Sequence, residues 1–161
     1  MDILAHAPIL LVGLPLLGAF ATPLIARAGE RARNWFAILI LALTSALAFY
    51  LAASVFQSGL RVYVLGGSSF GFTLPSGYFF PIRIILEVDG LSAFMAIIIA
   101  ITTLLGAIYS TAFIRGHSGL DKYYALLLLL AAGMFGLVVT GDAFNFFVFL
   151  EITSVAAAGL V

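Results

Sequence analysis

Apolar residues run along this chain in blocks too long and too even for a soluble fold. Residues 3–26, 34–60, 90–114 and 123–141 hold no Asp, Glu, Lys or Arg, and 143–161 hold only Glu151. A helix needs roughly 20 apolar residues to cross the ~30 Å hydrocarbon core of a bilayer, so each block can supply one span. The pattern predicts an all-α membrane protein in a single membrane domain. Its five transmembrane helices fall at about 3–26, 34–57, 89–114, 121–141 and 143–161.

One uncharged stretch, 62–82, breaks the pattern. It holds Gly66, Gly67, Gly71, Gly77, Pro75 and Pro81, with Ser68, Ser69 and Ser76 among them. Gly and Pro at that density do not sustain a helix, and lipid offers nothing to satisfy the freed backbone groups. Val, Tyr, Phe and Ile flank the turn residues on both sides. The loop 58–87 is therefore read as a short extramembrane β-hairpin-like element on the membrane face, between helices 2 and 3.

Composition agrees and narrows the function classes. Hydrophobic residues make up 64% of the 161 and charged residues 9%, with a mean hydropathy of +1.24. A soluble domain is about 45–50% apolar and about 25% charged, and one of this size could not hide so much apolar surface. A soluble enzyme, a nucleic-acid module and a disordered tail are excluded. Seven Lys+Arg balance seven Asp+Glu, which leaves no basic face for nucleic acid and no polybasic tail. Without cysteine there is no disulfide, thiolate metal site, thiol nucleophile or iron–sulfur cluster. His6 and His117 are too few and too far apart for a metal site by spacing, and no cofactor is expected in this chain.

The Lys/Arg distribution sets an expected orientation. Arg27, Arg31 and Arg33 lie between helices 1 and 2, and Arg115 and Lys122 between helices 3 and 4, while Arg61 and Arg83 lie in the hairpin loop. Five against two puts the N-terminus and hairpin outside and the other loops in the cytoplasm of a multi-pass plasma-membrane protein. The start, Met1-Asp2-Ile3-Leu4, has no basic n-region, so the first block reads as a retained helix. At the other end, 143–161 reaches about 28 Å at 1.5 Å per residue and nothing polar follows. That ending is expected of a piece of a longer chain or of one half of a split protein.

Glu151 is the sharpest chemical signal. It lies about nine residues into helix 5, near the expected bilayer midplane, where an ionised carboxylate costs roughly 2.5–3.5 kcal/mol and must face a partner or a water-filled cavity. Desolvation raises a carboxyl pKa and a nearby cation lowers it, so a carboxyl group between the two can load and release a proton. The competing reading is a protonated Glu that hydrogen-bonds a neighbouring helix. Ser154 and Thr153 offer hydroxyls nearby. The run Ala156-Ala157-Ala158-Gly159 provides a small surface that Gly133 and Gly136 of helix 4 could receive.

Every Lys and Arg falls in a loop or at a helix end, so a cation for Glu151 has to come from another segment. Asp89 opens helix 3 and Asp142 opens helix 5, on the outer side; each is read first as a helix cap and second as an outer-side relay. Glu87 could add to an outer cation-attracting patch. Asp142 is about 13 Å along the axis from Glu151, so waters would have to bridge them. His6, His117 and the interface aromatics Trp35, Tyr50, Tyr123 and Tyr124 need no functional role. A lipid-processing enzyme would want polar groups converging at one interface, and only Glu87 and Asp89 come near that. The chain is not expected to be catalytic itself.

Two stretches resemble a known family. Leu86-Glu87-Val88-Asp89-Gly90-Leu91-Ser92-Ala93-Phe94-Met95 opens helix 3. The second stretch, 133–154, contains Thr140-Gly141-Asp142, Phe144-Asn145-Phe146-Phe147-Val148-Phe149-Leu150 and Glu151. Both resemble the antiporter-like membrane subunits of respiratory complex I, Mrp-type sodium/proton antiporters and energy-converting membrane-bound hydrogenases. The resemblance implies the N-terminal five-helix part of a subunit of about fourteen helices with two inverted five-helix repeats. It also implies that Glu151 is the fifth-helix glutamate that pairs with a lysine on the seventh helix and helps drive proton transfer. The expected function is an antiporter-like, split or shortened subunit of a multisubunit ion-translocating complex. Its partners would be the bilayer and other membrane subunits, one supplying a Lys near Glu151. The alternative is a non-conducting scaffold subunit.

Overall fold

A computed structural model describes residues 6–65, 84–114 and 119–161. Its elements are α1 (Ala7–Ile25), continued by a 3-10 turn at Ala26–Ala28, then α2 (Glu30–Ser58), β1 (Arg61–Val64), β2 (Ile85–Val88), α3 (Gly90–Phe113), α4 (Leu120–Val139) and α5 (Ala143–Leu160). All five α-helices are long and apolar enough to cross a membrane. This is a multi-pass membrane fold, and among the described residues it carries one small two-stranded antiparallel sheet.

The helix boundaries differ from the reading of the sequence by a residue or two at most ends, and most clearly in α2. Helix α2 starts at Glu30 rather than 34, which draws Arg31 and Arg33 into its first turns. Charge marks where a helix leaves the hydrocarbon, not where its hydrogen bonding ends, and 29 residues reach about 43 Å, well beyond the core. Gly29, with φ of 123°, makes the tight link between the 3-10 turn and α2. The hairpin expected between helices 2 and 3 is present. Its partner strand is Ile85–Val88, downstream of the expected flank, and its register pairs Arg61 with Val88 and Val64 with Ile85. The turn residues 66–83, with Arg83, lie outside the described residues, as do residues 1–5, Arg115 and His117.

The hairpin is bound to the bundle rather than resting on it. Leu86 forms an antiparallel bridge with Thr140, and Gly141 N–H donates to the Ile85 carbonyl at 2.9 Å. Leu86 and Val88 are buried. On the other strand, Tyr63 shares a 2.7 Å hydrogen bond with His6 Nδ1 at the start of α1, so His6 has a structural role that its spacing did not suggest. The hairpin thus joins the starts of α1, α3 and α5 at one end of the bundle.

Helix α4 is the centre, packing on α1, α3 and α5 and touching α2. Its buried positions, among them Tyr124, Leu128, Ala131, Ala132, Phe135 and Val139, wrap most of its circumference. Small side chains let α2 and α3 approach closely: Ala37, Thr44, Ser45, Ala48 and Ala52 on one, Ala93, Ala96, Ala100, Thr103 and Ala107 on the other. Ser45 Oγ donates to the Leu41 carbonyl at 2.7 Å and to the Ala100 carbonyl of α3 at 3.3 Å. Large apolar residues such as Leu17, Phe20, Leu39, Phe56, Leu105 and Phe113 face outward, as lipid-facing positions do.

Candidate functional site

Helix α5 begins with a cap built from two residues. Asp142 is extended, and its Oδ1 accepts from Asn145 N–H at 2.8 Å while Oδ2 accepts from Asn145 Nδ2 at 2.5 Å. The charge faces the positive end of the helix dipole and satisfies donors that have no partner inside the helix. Asn145 is buried and was not singled out above, although Asp followed three residues later by Asn at a helix start is a legible capping pattern. Asp89 does the same for α3, accepting from Ser92 N–H at 2.7 Å. That hydrogen bond holds its carboxyl below the ordinary carboxylate value. The hairpin brings Glu87 to the same end. A Cβ on Gly141 would lie 2.8 Å from Glu87 Cγ, so glycine is what lets β2 cross just before Asp142.

From this cap α5 runs back antiparallel to α4. Gly133 receives Thr153, Gly136 receives the Phe149 ring, and Gly159 accepts Leu126. The two glycines of α4 do receive α5, but through Phe149 and Thr153 rather than through the alanine run, of which only Ala156 is buried. Asn145, Phe149, Thr153 and Ala156 follow one another every three or four residues and form the stripe toward α4.

Glu151 lies on the opposite side. At 100° per residue it is roughly 160° around the helix from both Phe149 and Thr153. It is exposed on a face shared with Phe144, Phe147, Ser154 and Val155. It is the ninth of the 18 residues of α5 and so sits at the middle of that helix. Ser154 Oγ and Thr153 Oγ1 each donate at 2.8 Å to the carbonyl four residues back, Leu150 and Phe149 respectively, so neither hydroxyl is directed to the carboxylate. The chain's one lysine, Lys122, is in the first turn of α4, far along the bundle from this level. The structure therefore gathers Asp142, Asn145, Asp89 and Glu87 at the hairpin end and leaves Glu151 apart from them.

Comparison with known proteins places this arrangement. Residues 74–124 match the family described as NADH-ubiquinone oxidoreductase (complex I), chain 5 N-terminus. The chain is similar to NADH-quinone oxidoreductase subunit N of Desulforudis audaxviator, with 33% identity over 159 residues, 98% of this chain and 30% of that one. It is similar to an Na(+)/H(+) antiporter subunit of Alkalihalophilus pseudofirmus, with 29% identity over 132 residues, 82% of this chain and 24% of that one. Among solved structures, a chain of the membrane-bound sulfane sulfur reductase, an archaeal respiratory membrane complex, superposes with a TM-score of 0.80 at 31% identity, over 94% of this chain and 29% of that chain. A chain of the Mrp complex from Dietzia sp. DQ12-45-1b does so with a TM-score of 0.77 at 27% identity, over 99% and 27%. The chain spans less than a third of the length of each of these relatives. It belongs to the family of antiporter-like membrane subunits found in complex I, Mrp antiporters and related respiratory complexes, and corresponds to their N-terminal five-helix part.

Proposed function

We propose that this chain is an antiporter-like subunit, or the leading part of one, in a multisubunit ion-translocating membrane complex, and that Glu151 carries a step of proton or sodium/proton transport. The observation that carries the reading is the position of Glu151 at mid-helix on the face of α5 that α4 leaves open. A carboxylate facing hydrocarbon there costs about 2.5–3.5 kcal/mol, so the uncovered face calls for a polar partner. A lysine from a helix outside these five, or a hydrated cavity formed with it, meets that need and tunes the carboxyl for proton exchange.

The relatives support the setting. One is an Na(+)/H(+) antiporter subunit and another a quinone oxidoreductase subunit. The structural neighbours belong to multisubunit complexes. Other membrane subunits are thus the expected partners, with any redox chemistry in them. The Lys/Arg bias favours a plasma-membrane orientation with the hairpin end outside. Asp142 and Asp89 act first as caps; an outer-side relay through Asp142 would need waters across about 13 Å.

The test is Glu151→Gln in the assembled complex, with ion pumping or sodium/proton exchange measured beside assembly. Transport is expected to fall by roughly a hundredfold, the scale of losing a positioned proton carrier, while assembly persists. Full transport with Gln would refute the relay and leave a packing role, the scaffold reading.

A further inference from the structure

The end of the bundle opposite the hairpin carries a groove that neither Glu151 nor the caps use. It lies between the start of α2 and the end of α3 and encloses about 710 Å³. Its mouth is polar, formed by Glu30, Arg31, Asn34 and Thr111, and its wall is apolar, formed by Trp35, Ile38 and Ile108. From Glu30 to Ile38 the groove follows α2 for about 12 Å, the depth from a lipid headgroup to its upper acyl chain. Trp35 is 71% exposed at this level, where tryptophan favours the membrane–water boundary.

A second observation gives the groove a charge preference. Arg33 is only 6% exposed. It donates from Nε and Nη2 to Asn34 Oδ1 at 3.2 and 3.1 Å, and its guanidinium carbon lies 5.4 Å from the centre of the Tyr124 ring. Among the described residues no carboxylate pairs with it. An amide and an aromatic face do not neutralise a buried guanidinium, which asks for a counter-charge. Arg33 lines a smaller hollow that shares Glu30, Asn34 and Thr111 with the groove, so an anion at the mouth would lie one residue layer away. Among the described residues that line the groove and the hollow, Arg31 and Arg33 against Glu30 leave a charge of +1; Arg27 of the 3-10 turn adds to it at this end, while Asp121 and Lys122 in α4 cancel each other.

We propose that this groove binds one anionic phospholipid. Arg31 and Asn34 hold the phosphodiester, Arg33 supplies the charge behind them, and one acyl chain lies along Trp35, Ile38 and Ile108. The site depends neither on the role of Glu151 nor on which end faces the cytoplasm. A zwitterionic lipid leaves the +1 unmatched, and a soluble phosphate leaves the apolar wall empty.

The test is native mass spectrometry on the full chain, delipidated in mild detergent and titrated with phosphatidylglycerol, phosphatidylcholine, phosphatidylethanolamine or glycerol phosphate. Phosphatidylglycerol should bind one copy about tenfold more tightly than either zwitterionic lipid, the scale of one charge-assisted contact, and glycerol phosphate should not bind. Arg31→Gln should remove the preference, Ile108→Trp should fill the groove and weaken every lipid, and Arg61→Gln at the hairpin end should change nothing. Arg31 is exposed, so its variant keeps the fold and remains decisive even where the tryptophan variant does not fold. Equal affinity for the three lipids, preference for phosphatidylethanolamine, binding of glycerol phosphate as tight as the lipid, or an unaffected Arg31→Gln would each overturn the proposal.

Discussion

Gly133→Ala offers a sharp test of how α5 is held. A Cβ at Gly133 would meet Thr153 Oγ1, and would stand 3.0 Å from the Thr153 backbone nitrogen and 3.2 Å from its Cα. Unstrained contact is about 3.5–4.0 Å. A side chain could rotate away, but the helix backbone cannot, so α5 has to retreat by roughly 0.5 Å or more. A gap of that size forfeits about a quarter to a half of the dispersion energy of each displaced pair. Among the described residues helix α5 rests chiefly on α4 and buries only Asn145 and Ala156, so it has little other packing to compensate. The expected loss is about 2 kcal/mol, within the ~1–3 kcal/mol of overpacked cores. The assay is SDS denaturation of the full chain in mild detergent, followed by far-UV circular dichroism. Gly13→Ala is the control, because a Cβ there meets nothing within 4 Å; alanine's higher helix propensity should make it neutral or slightly stabilising. Gly136→Ala should be as damaging, because its Cβ would enter the Phe149 ring, and should be partly rescued by Phe149→Ala. A Gly133→Ala variant as stable as the parent, or a Gly13→Ala variant equally damaged, would refute this account of the α4–α5 seam.

Asp142→Ala removes both hydrogen bonds to Asn145 and should cost about 0.5–2 kcal/mol, seen as faster amide exchange in the first turn of α5; Asp142→Asn should lose less. Tyr63→Phe breaks the bond to His6 and should lower stability by about 1 kcal/mol, with faster exchange confined to β1 and the start of α1. Asp89 is held below its ordinary value of 3.8 by Ser92 N–H, so its stabilisation is fully present above that pH and is lost as pH falls through the lower folded value. Asp89→Asn removes this titrating group, so near neutral pH Asn, itself a good cap, should change stability little, while acid denaturation should shift to lower pH because the loss on protonating Asp89 is gone.

The sequence by itself determined the number of spans, the interruption between helices 2 and 3, the capping positions Asp89 and Asp142, and the isolation of Glu151. Each is a local or one-dimensional property. A span is a length of uncharged chain matched to the bilayer, a cap is a hydrogen bond across three residues, and a carboxylate at mid-helix is conspicuous without any neighbour. The tertiary structure alone decided which faces meet. In lipid a helix is apolar on every side, so no amphipathic stripe reveals its packing face. Direction comes instead from shape, as where Gly133 and Gly136 leave room for Thr153 and Phe149. For the same reason the open side of Glu151 could not be read from its neighbours in sequence. Burial of Arg33 over Tyr124, the second hairpin strand at Ile85–Val88 and the His6–Tyr63 tie also depended on contacts between distant segments. Their energy comes from close packing and paired polar groups in three dimensions, which hydropathy along a chain does not encode.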